Sequence, residues 1–580
     1  MGVEYLNVEK SVTAFRPIGL AGVSVLPEVL PESFEQIAAS LTEAQRAHML
    51  TERLVPLTGP KGQKLYADAA PWRQRHIHFP QIVAQVAAPV FAKTVWQQFS
   101  HGVAKIATEA LRRKTPQLSA HQRLTREQSI ALVLVLEMAA VFFTFLPLEL
   151  SGRAFCEVFS LVFASMSWIR VLALAGPSHT ARHAPEMDDL ELPSYSVLVP
   201  LYKEAKVLPQ LIRALSDISY PPDKLDIKII LEEKDVETRK AAHQIMLPPH
   251  FELLVVPKGH LQTKPRALNY ALQFARGELV TIYDAEDVPH PMQLRRAARV
   301  FAHSPERLAC LQARLMFYNA DESWLSRQFA VEYAVQFELI LPTLARRGLP
   351  LPLGGTSNHF RTSVLRHIHG WDPYNVTEDA DIGLRLARAG FSCGMLHSTT
   401  LEEANIEWRN WLSQRARWLK GFLQTWLVHM RHPRKLRRQV GWLGFLAVQS
   451  TLFGVLLSAL LHPLFLGVMV WQMAHGSFID LRFELPRIIL GNFHIVLLAA
   501  SYAIMMWCGV RASRKQKLRG RAWIIASMPL YWLLTSIAGW IALWQFLVQP
   551  FHWNKTRHGL SRMNRRRWSS SAARPTSSPA

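Results

Sequence analysis

The chain has 580 residues, more than one ordinary domain holds, and 49% of them are hydrophobic. Its formal net charge of +22 indicates an anionic partner, such as nucleic acid, a membrane surface or a charged substrate. The basic residues stand mainly beside apolar segments, at 431–438, 511–521 and 557–567, which favours anionic lipid headgroups. The chain carries no zinc-finger, helix-turn-helix or RNA-recognition pattern, so we expect no nucleic-acid partner.

Residues 1–125 form an N-terminal extension without a long apolar run. The patterns at Ser33–Met49 and Phe91–Arg112 predict helices, and a short alternating stretch lies at Arg53–Tyr66. We therefore predict a mostly helical extension. Two roles are open for this extension. It packs as a cap on the next domain, or it is a regulatory domain that senses nucleotides.

Two apolar segments follow the extension and predict a transmembrane hairpin over residues 126–177. Ser129–Leu150 and Phe155–Gly176 are each close to the roughly 20 residues that cross a bilayer core. Ser151–Arg153 would form a tight turn between them. A buried helical pair in a soluble protein is the alternative.

Residues 193–405 alternate between strand and helix patterns. Apolar, β-branched runs predict strands at Tyr195–Leu201, Ile227–Leu231, Phe251–Val256 and Glu278–Tyr283, with helical patterns between them. This alternation predicts an α/β domain with a parallel sheet and helices on both faces. Ligands of such sheets bind beyond the carboxyl ends of the strands, where the polar motifs of this chain fall.

Further apolar segments occupy residues 439–549. Gly441–Trp471 fits one tilted span or a short hairpin broken at His462-Pro463, while Ile488–Val510 and Ala522–Val548 each fit one span. If these form single spans plus a hairpin, the basic stretch 511–521 lies outside the cytosol. The positive-inside tendency disfavours that position. The sequence leaves this topology open.

Three polar motifs follow one another along the chain. The motif YDAED occupies residues 283–287, TED occupies 377–379, and QRARW occupies 414–418 on an amphipathic stretch. In an extended chain Asp284 and Glu286 point to the same side and offer two oxygen ligands suited to Mg²⁺ or Mn²⁺. A solvated acidic turn is the alternative for the first motif, and a helix start is the alternative for TED.

This ordered set, flanked by apolar segments, resembles the layout of membrane-embedded family-2 glycosyltransferases over roughly residues 125–560. That family includes cellulose, chitin and hyaluronan synthases. The chain is similar to its cellulose-synthase-like members, and the extension resembles that of the bacterial group called XagB. The resemblance implies a GT-A domain at 193–405 inserted between transmembrane helices. It also implies an interfacial helix with QxxRW at 406–438.

The resemblance assigns roles to the motif residues. The aspartate of TED is the family's general base, here Asp379, with Glu378 beside it in the catalytic motif. Asp284 and Glu286 resemble the DxD metal motif with a glutamate in its last place, so either Glu286 or Asp287 completes the metal site.

Donor and acceptor residues are assigned in the same way. The nucleotide-sugar site would comprise Glu233, Asp235, Lys264, Asp284, Gln414, Arg417 and Trp418. Arg417 would face the diphosphate and Trp418 the acceptor sugar. Within the segment GGTSNHF, Asn358 and His359 would also lie near the acceptor; a tight turn is the alternative.

Residues 550–580 combine a segment that resembles the family's gating loop with a disordered basic tail. Lys555 and Thr556 would reach the diphosphate, although the FxVT pattern of the family is not reproduced. A basic membrane-flanking stretch is the alternative.

Together these features predict an inverting glycosyltransferase that moves a sugar from a UDP- or GDP-sugar to a growing β-linked polysaccharide. We expect it at the bacterial inner membrane, with a cytosolic catalytic domain, contacts to lipids, and export partners in the periplasm or outer membrane. The rivals are a non-processive transferase that adds one sugar to a lipid or glycan, and a catalytically inactive membrane sensor of nucleotide sugars.

Overall fold

The computed structural model describes residues 88–145, 148–176, 185–476, 493–516, 518, 520–550 and 561, with shorter pieces between 15 and 86. The helices are α1 (Pro31–Ser40), α2 (Ala88–Lys114), α3 (Arg126–Phe145), α4 (Leu148–Met166), α5 (Trp168–Ala175), α6 (Leu208–Ser216), α7 (Val236–His243), α8 (Lys264–Leu272), α9 (Gln293–Ala302), α10 (Trp324–Val335), α11 (Leu341–Arg346), α12 (Thr362–His367), α13 (Glu378–Arg388), α14 (Trp408–His429), α15 (Pro433–Val448), α16 (Gly454–Ala474), α17 (Phe493–Lys515), α18 (Arg521–Ala526) and α19 (Met528–Val548). The strands are β1 (Phe15–Arg16), β2 (Glu28–Val29), β3 (Leu54–Thr58), β4 (Lys64–Asp68), β5 (Ile82–Gln85), β6 (Tyr195–Leu201), β7 (Leu225–Glu232), β8 (Phe251–Val256), β9 (Leu279–Ile282), β10 (Val288–Pro289), β11 (Leu308–Phe317), β12 (Asn358–Arg361) and β13 (Ser392–Glu402).

The N-terminal extension packs directly on the domain at 193–405, here named the catalytic domain after the role that the sequence predicts for it. It contains the two predicted helices, as α1 and α2, together with a five-stranded sheet of order β1-β2-β5-β4-β3. In the second half of α2, Asn269 Nδ2 donates to the Ala107 carbonyl at 3.1 Å. Beyond α2, the Asp372 carboxylate accepts from Ser119 Oγ at 3.1 Å and from the Ala120 amide at 2.5 Å. These contacts agree with a packing cap, and a regulatory role stays a hypothesis.

The catalytic domain is built on an eight-stranded sheet of order β10-β13-β11-β12-β9-β6-β7-β8. The four strands that the sequence predicts are the parallel block β9-β6-β7-β8. The predicted parallel sheet is only part of the observed sheet, because β12 is antiparallel to both β9 and β11 and β10 is antiparallel to β13. The chain leaves β11 through α10 and α11 and returns along the loop 347–357, and this path brings the short strand β12 back antiparallel to β11.

Four helical segments of the described chain are long and apolar enough to cross a membrane: Leu150–Ala175, Pro433–Ala474, Phe493–Lys515 and Met528–Val548. The first predicted span forms the helix α3, whose apolar side chains are largely exposed, and its crossing of the membrane stays a prediction.

The turn predicted at Ser151–Arg153 is wrong, because these residues lie inside α4. Gly152 faces α16 there, and a Cβ at this position would lie 3.5 Å from Val468 Cγ1, an ordinary packing distance.

The segment after α14 is one long helical run rather than a hairpin. Pro463 lies inside α16, so the chain does not reverse at His462-Pro463. At the far end of α17, Arg511 donates to the backbone carbonyls of Leu174 and Gly176, the latter at 3.0 Å. The basic stretch 511–521 therefore begins beside the end of α5 that leads into the catalytic domain. The conflict with the positive-inside tendency disappears.

The last apolar helix, α19, packs along α14, and both of its ends contact segments on the catalytic side. At its start, Ser527 Oγ accepts from Trp324 Nε1 at 2.9 Å. Just after its end, the Pro550 carbonyl accepts from Gln424 Nε2 at 2.8 Å. Near that same end, the Leu547 carbonyl accepts from Arg123 Nη1 at 3.0 Å. Although α19 is long enough to span a bilayer, these contacts favour a helix that lies along the membrane surface.

Candidate active site

A cavity of about 930 Å³ lies at the carboxyl ends of the parallel strands. Its catalytic half is lined by charged side chains from strand ends, helix starts and the middle of α14: Glu204, Glu232, Lys264, Asp284, Glu286, Glu378, Asp379, Glu402 and Arg417. The other half runs between the apolar helices and is lined by residues such as Phe163, Met166, Val455, His462, Met505 and Trp532. One continuous space therefore joins the polar motifs to the apolar helices.

Lys264, the first residue of α8, lies at the centre of the catalytic half. Its Nζ is 2.5 Å from Asp284 Oδ1 and donates to the Gly355 carbonyl at 2.8 Å. Burial alone would lower the pKa of Lys264, but the carboxylates of Asp284, Glu378 and Asp379 raise it overall. The side chain is therefore a fixed positive charge among acidic groups.

A cluster of carboxylates surrounds the end of β9. Asp287 accepts hydrogen bonds from the Asp284 amide, at 2.7 Å, and from the Thr356 hydroxyl, while its Oδ1 is buried without a hydrogen-bond partner. Burial, followed by repulsion from neighbouring carboxylates, raises the pKa values of Glu286, Asp287 and Glu402 well above the usual range. The cluster is therefore short of positive charge and suits a cation.

The carboxylates of this cluster offer the oxygen ligands that a divalent metal requires. Asp284 and Glu286, the predicted ligands, both line the cavity. Among the described residues no three acidic, histidine or cysteine side chains already converge as a metal-binding group. Two carboxylates completed by phosphate oxygens of a ligand are a common arrangement for Mg²⁺, so the residues fit a metal that arrives with a nucleotide.

Glu378 and Asp379 stand at the first turn of α13, facing Lys264. Asp379 Oδ1 accepts from the Ala380 amide at 2.7 Å. Burial raises the pKa of Asp379 and, together with the Asp379 charge, raises the pKa of Glu378 to about 8. A Cβ at Gly355 would come within 3.2 Å of Asp379 Oδ2, so this glycine lets the loop approach the carboxylate closely.

Helix α13 is held in place by a buried charge network below the motif. Asp381 Oδ2 accepts from Arg385 Nε at 2.7 Å, and Asp381 Oδ1 lies 3.0 Å from His429 Nε2 on α14. Although burial would raise it, Arg385 and His429 hold the pKa of Asp381 below its usual value. This network ties the TED helix to the helix that carries QRARW.

The pentad QRARW lies on α14, where Gln414, Arg417 and Trp418 all line the cavity. Burial lowers the pKa of Arg417, while the nearby carboxylates of Glu378, Asp379 and Asp284 act in the opposite direction. Gln414 Oε1 accepts from Asn405 Nδ2 at 2.8 Å. The pentad thus brings a guanidinium and an indole to the acidic cluster.

The sequence analysis missed Arg415, which anchors the pentad. Its two Nη atoms lie 2.6 Å from the two carboxylate oxygens of Glu332 on α10, and Nη2 also donates to the Tyr531 hydroxyl at 3.0 Å. The guanidinium lies 4.9 Å from the ring centre of Trp418. It therefore covers part of that indole and ties it to α10 and α19.

Two predicted donor residues lie outside the cavity. Asp235 caps α7 by accepting from the Thr238 amide at 3.2 Å, and Glu233 Oε2 accepts from the Lys258 amide at 2.7 Å. Glu204 and Glu232 line the cavity instead, and burial raises the pKa of Glu232 to about 7. Successive side chains of an extended chain alternate in direction, so at the end of β7 Glu232 rather than Glu233 faces the cavity.

The two predicted acceptor residues in GGTSNHF also lie behind the cavity wall. Asn358 Nδ2 donates to the Gly354 carbonyl at 2.6 Å. His359 is buried between the Tyr195 hydroxyl, at 2.6 Å from Nδ1, and Gln293, and burial lowers its pKa to about 3. Both support the loop 354–356, which does line the cavity. Lys555 and Thr556 lie outside the described residues.

The chain is similar in sequence to a known family and to several glycosyltransferases. Residues 193–421 match the family model described as glycosyltransferase like family 2. The chain is 24% identical over 332 residues to the probable glycosyltransferase YdaM of Bacillus subtilis, covering 53% of this chain and 79% of that protein. It is 25% identical over 305 residues to beta-monoglucosyldiacylglycerol synthase of Synechocystis, covering 50% and 63%.

A plant enzyme and a solved archaeal structure are also similar. The chain is 26% identical over 222 residues to glucomannan 4-beta-mannosyltransferase 1 of Oryza sativa, covering 36% of this chain and 41% of that protein. Mannosyltransferase PcManGT from Pyrobaculum calidifontis, solved with GDP-Man and Mn²⁺, has a TM-score of 0.46 and 17% identity and covers 68% and 99% of the two chains. The matches to the Synechocystis and rice enzymes thus span less than two thirds of those proteins. Residues 193–421 are a family-2 glycosyltransferase domain, and the chain is an enzyme of the glycosyltransferase class.

Proposed function

We propose that the chain transfers a sugar, with inversion, from a UDP- or GDP-sugar to a growing β-linked polysaccharide at the bacterial inner membrane. The observation that carries this proposal is the single cavity that runs from the acidic cluster past Trp418 to the apolar helices. A donor would occupy the polar half, and the acceptor chain would extend from Trp418 towards the membrane.

The residues of the polar half take complementary roles in this proposal. Lys264 and Arg417 supply positive charge to the departing diphosphate. Asp379 takes the proton of the acceptor hydroxyl as that oxygen forms its bond to the anomeric carbon and the bond to the diphosphate breaks. One displacement inverts the anomeric centre, and the nucleoside diphosphate leaves with the electron pair.

A divalent metal would be held by Asp284 and Glu286, with Asp287 and Glu402 close by. When bound, such an ion neutralises diphosphate charge and holds its oxygens in place. The raised pKa values of Glu286, Asp287 and Glu402 support this assignment, since a cation would relieve their mutual repulsion. Mg²⁺ and Mn²⁺ both suit oxygen ligands.

We expect transfer to stop when divalent metal is removed with excess EDTA and to return on addition of Mg²⁺ or Mn²⁺. Binding of Mn²⁺ in the presence of the nucleoside diphosphate, followed by electron paramagnetic resonance, should be lost in Asp284→Asn. The exposed Glu306→Gln serves as control and should bind normally. Full turnover in EDTA would overturn the metal assignment.

A lipid acceptor is the second candidate, because the membrane half of the cavity is rich in apolar side chains such as Phe163, Met166 and Met505. The deciding experiment supplies purified enzyme with each UDP- or GDP-sugar in turn, in lipid bilayers, and analyses the product. A ladder of β-linked oligomers supports the polysaccharide. A single glycosylated lipid supports the alternative, and donor binding without any transfer would favour the inactive sensor.

We predict that the catalytic domain and both ends of α19 face the cytosol, whereas the end of α16 at His475 faces the opposite side. The four native cysteines are all buried, so single introduced cysteines report cleanly. In intact cells, an impermeant thiol reagent should label His475→Cys and spare Asp223→Cys and Gln549→Cys, all at exposed positions. Labelling of Gln549→Cys from outside would mean that α19 crosses the membrane.

A further inference from the structure

The first half of α15 presents an exposed cationic surface at the edge of an apolar helix. Its members are Arg434, Lys435, Arg437 and Arg438, here called the basic border. The sequence of α15 contains no acidic residue, and among the residues that the structure describes no carboxylate forms an ion pair with any of the four. The next outward-facing side chains, Trp442 and Leu443, are each 57% exposed.

A kink separates the basic border from the apolar part of the helix. Gly441 has φ +73° and ψ 174°, a conformation that other residues avoid. The basic border therefore does not continue the line of the apolar segment that follows. The Arg437 guanidinium lies 5.7 Å from the ring centre of Trp442, and tryptophan side chains favour the headgroup level of bilayers.

The basic border is also coupled to the helix that carries TED. Leu436, on its inner face, is fully buried in one cluster with Ala380 and Leu384 of α13. One turn on, Gln439 Oε1 accepts from Arg388 Nε, at the end of α13, at 2.8 Å. Binding that orders the first half of α15 would therefore also restrict the movement of α13.

We propose that the basic border binds the headgroups of anionic lipids and that this binding steadies α13, and with it Asp379, in its working position. Four adjacent positive charges, an interfacial tryptophan and an exposed leucine match a membrane surface that is both anionic and apolar. The apolar helix that follows would lie in the bilayer. Lipid headgroups would therefore surround the basic border wherever this helix is inserted.

Lipid binding is measured on the full-length protein in detergent micelles with a fluorescently labelled phosphatidylglycerol. The double variant Arg437→Gln/Arg438→Gln should bind this lipid on the order of tenfold more weakly, since each basic residue near an anionic surface adds to the attraction. The matched control Lys240→Gln/Arg307→Gln removes two exposed charges of the catalytic domain and should bind as the wild type does. Equal binding by both double variants would overturn the proposal.

The coupling to α13 is tested in nanodiscs of phosphatidylcholine that contain increasing fractions of phosphatidylglycerol. Wild-type sugar transfer should rise severalfold with the anionic fraction, and the Arg437→Gln/Arg438→Gln variant should not respond. Gln439→Ala keeps all four charges, so it should bind lipid normally yet respond less. A full response in the double variant would refute the coupling.

This second measurement rests on the proposed transferase function, whereas the binding measurement does not. If no donor sugar is transferred under any condition, the proposed function fails and the binding result still decides the lipid site. Inorganic phosphate at equal charge should not restore transfer in phosphatidylcholine nanodiscs. If it did, the basic border would be a site for soluble anions and not for lipid.

Discussion

Replacing Asp379 with asparagine should lower sugar transfer by a factor of about 10² to 10⁴, the usual contribution of a positioned acid or base. The amide is nearly the same size and can keep the hydrogen bond from the Ala380 amide through its oxygen. Folding and donor binding should therefore survive while proton abstraction is lost. Steady-state transfer rates and nucleotide titration on the same preparation measure the two effects separately.

The pH dependence of transfer gives an independent check on Asp379. Burial raises the pKa of this carboxyl, although Lys264 and Arg417 partly offset the shift. A base acts only after it has lost its proton, so kcat/KM should rise as pH increases through this raised pKa. The rising limb should lie above the range of an ordinary aspartate in the wild type and should be absent from the Asp379→Asn variant.

Glu378→Gln is the matched control for this assignment. Glu378 neighbours Asp379 and has its own raised pKa, of about 8, so the two carboxyls could be confused in a pH profile. If Asp379 is the base, Glu378→Gln keeps a rising limb. Near wild-type transfer by Asp379→Asn, with loss in Glu378→Gln, would move the role to the glutamate.

The central part of the fold could be predicted because local patterns specify it. The strands β6, β7 and β9 are largely apolar, β-branched runs that are almost wholly buried, and α6 keeps one apolar face. The mixed part of the sheet could not be predicted, since no local pattern sets the direction in which β12 pairs with β9 and β11. Pairing of that kind depends on the whole fold.

Some of the candidate site residues could be predicted from the sequence, and others could not. Asp284, Asp379 and Trp418 stand in the three ordered motifs, and together with Lys264 they line one cavity. The bond between Arg415 and Glu332 joins positions 83 residues apart, and nothing local in the sequence marks it.

The path of α19 could not be predicted either, because an apolar helix along the surface and one across the bilayer have the same length and composition. Only contacts at both ends of the helix distinguish them, such as those of Ser527 and Pro550.

Replacing Arg417 and replacing Trp418, two cavity-lining residues of the pentad, should have different effects. Arg417→Ala should weaken binding of the nucleoside diphosphate by about 1.5–3 kcal/mol, or roughly tenfold to a hundredfold, since it removes a charge-assisted contact to phosphate. Trp418→Ala should leave that affinity largely unchanged and impair acceptor use, while Trp418→Phe should recover part of it because a ring remains. Arg409→Ala removes an exposed arginine from the same helix and should change neither property. Calorimetric titration with UDP and GDP measures nucleotide affinity, and transfer rates measure acceptor use. If Arg417→Ala leaves nucleotide affinity unchanged, Arg417 does not bind the donor. In that case α14 is an interfacial helix and its arginine has a structural role.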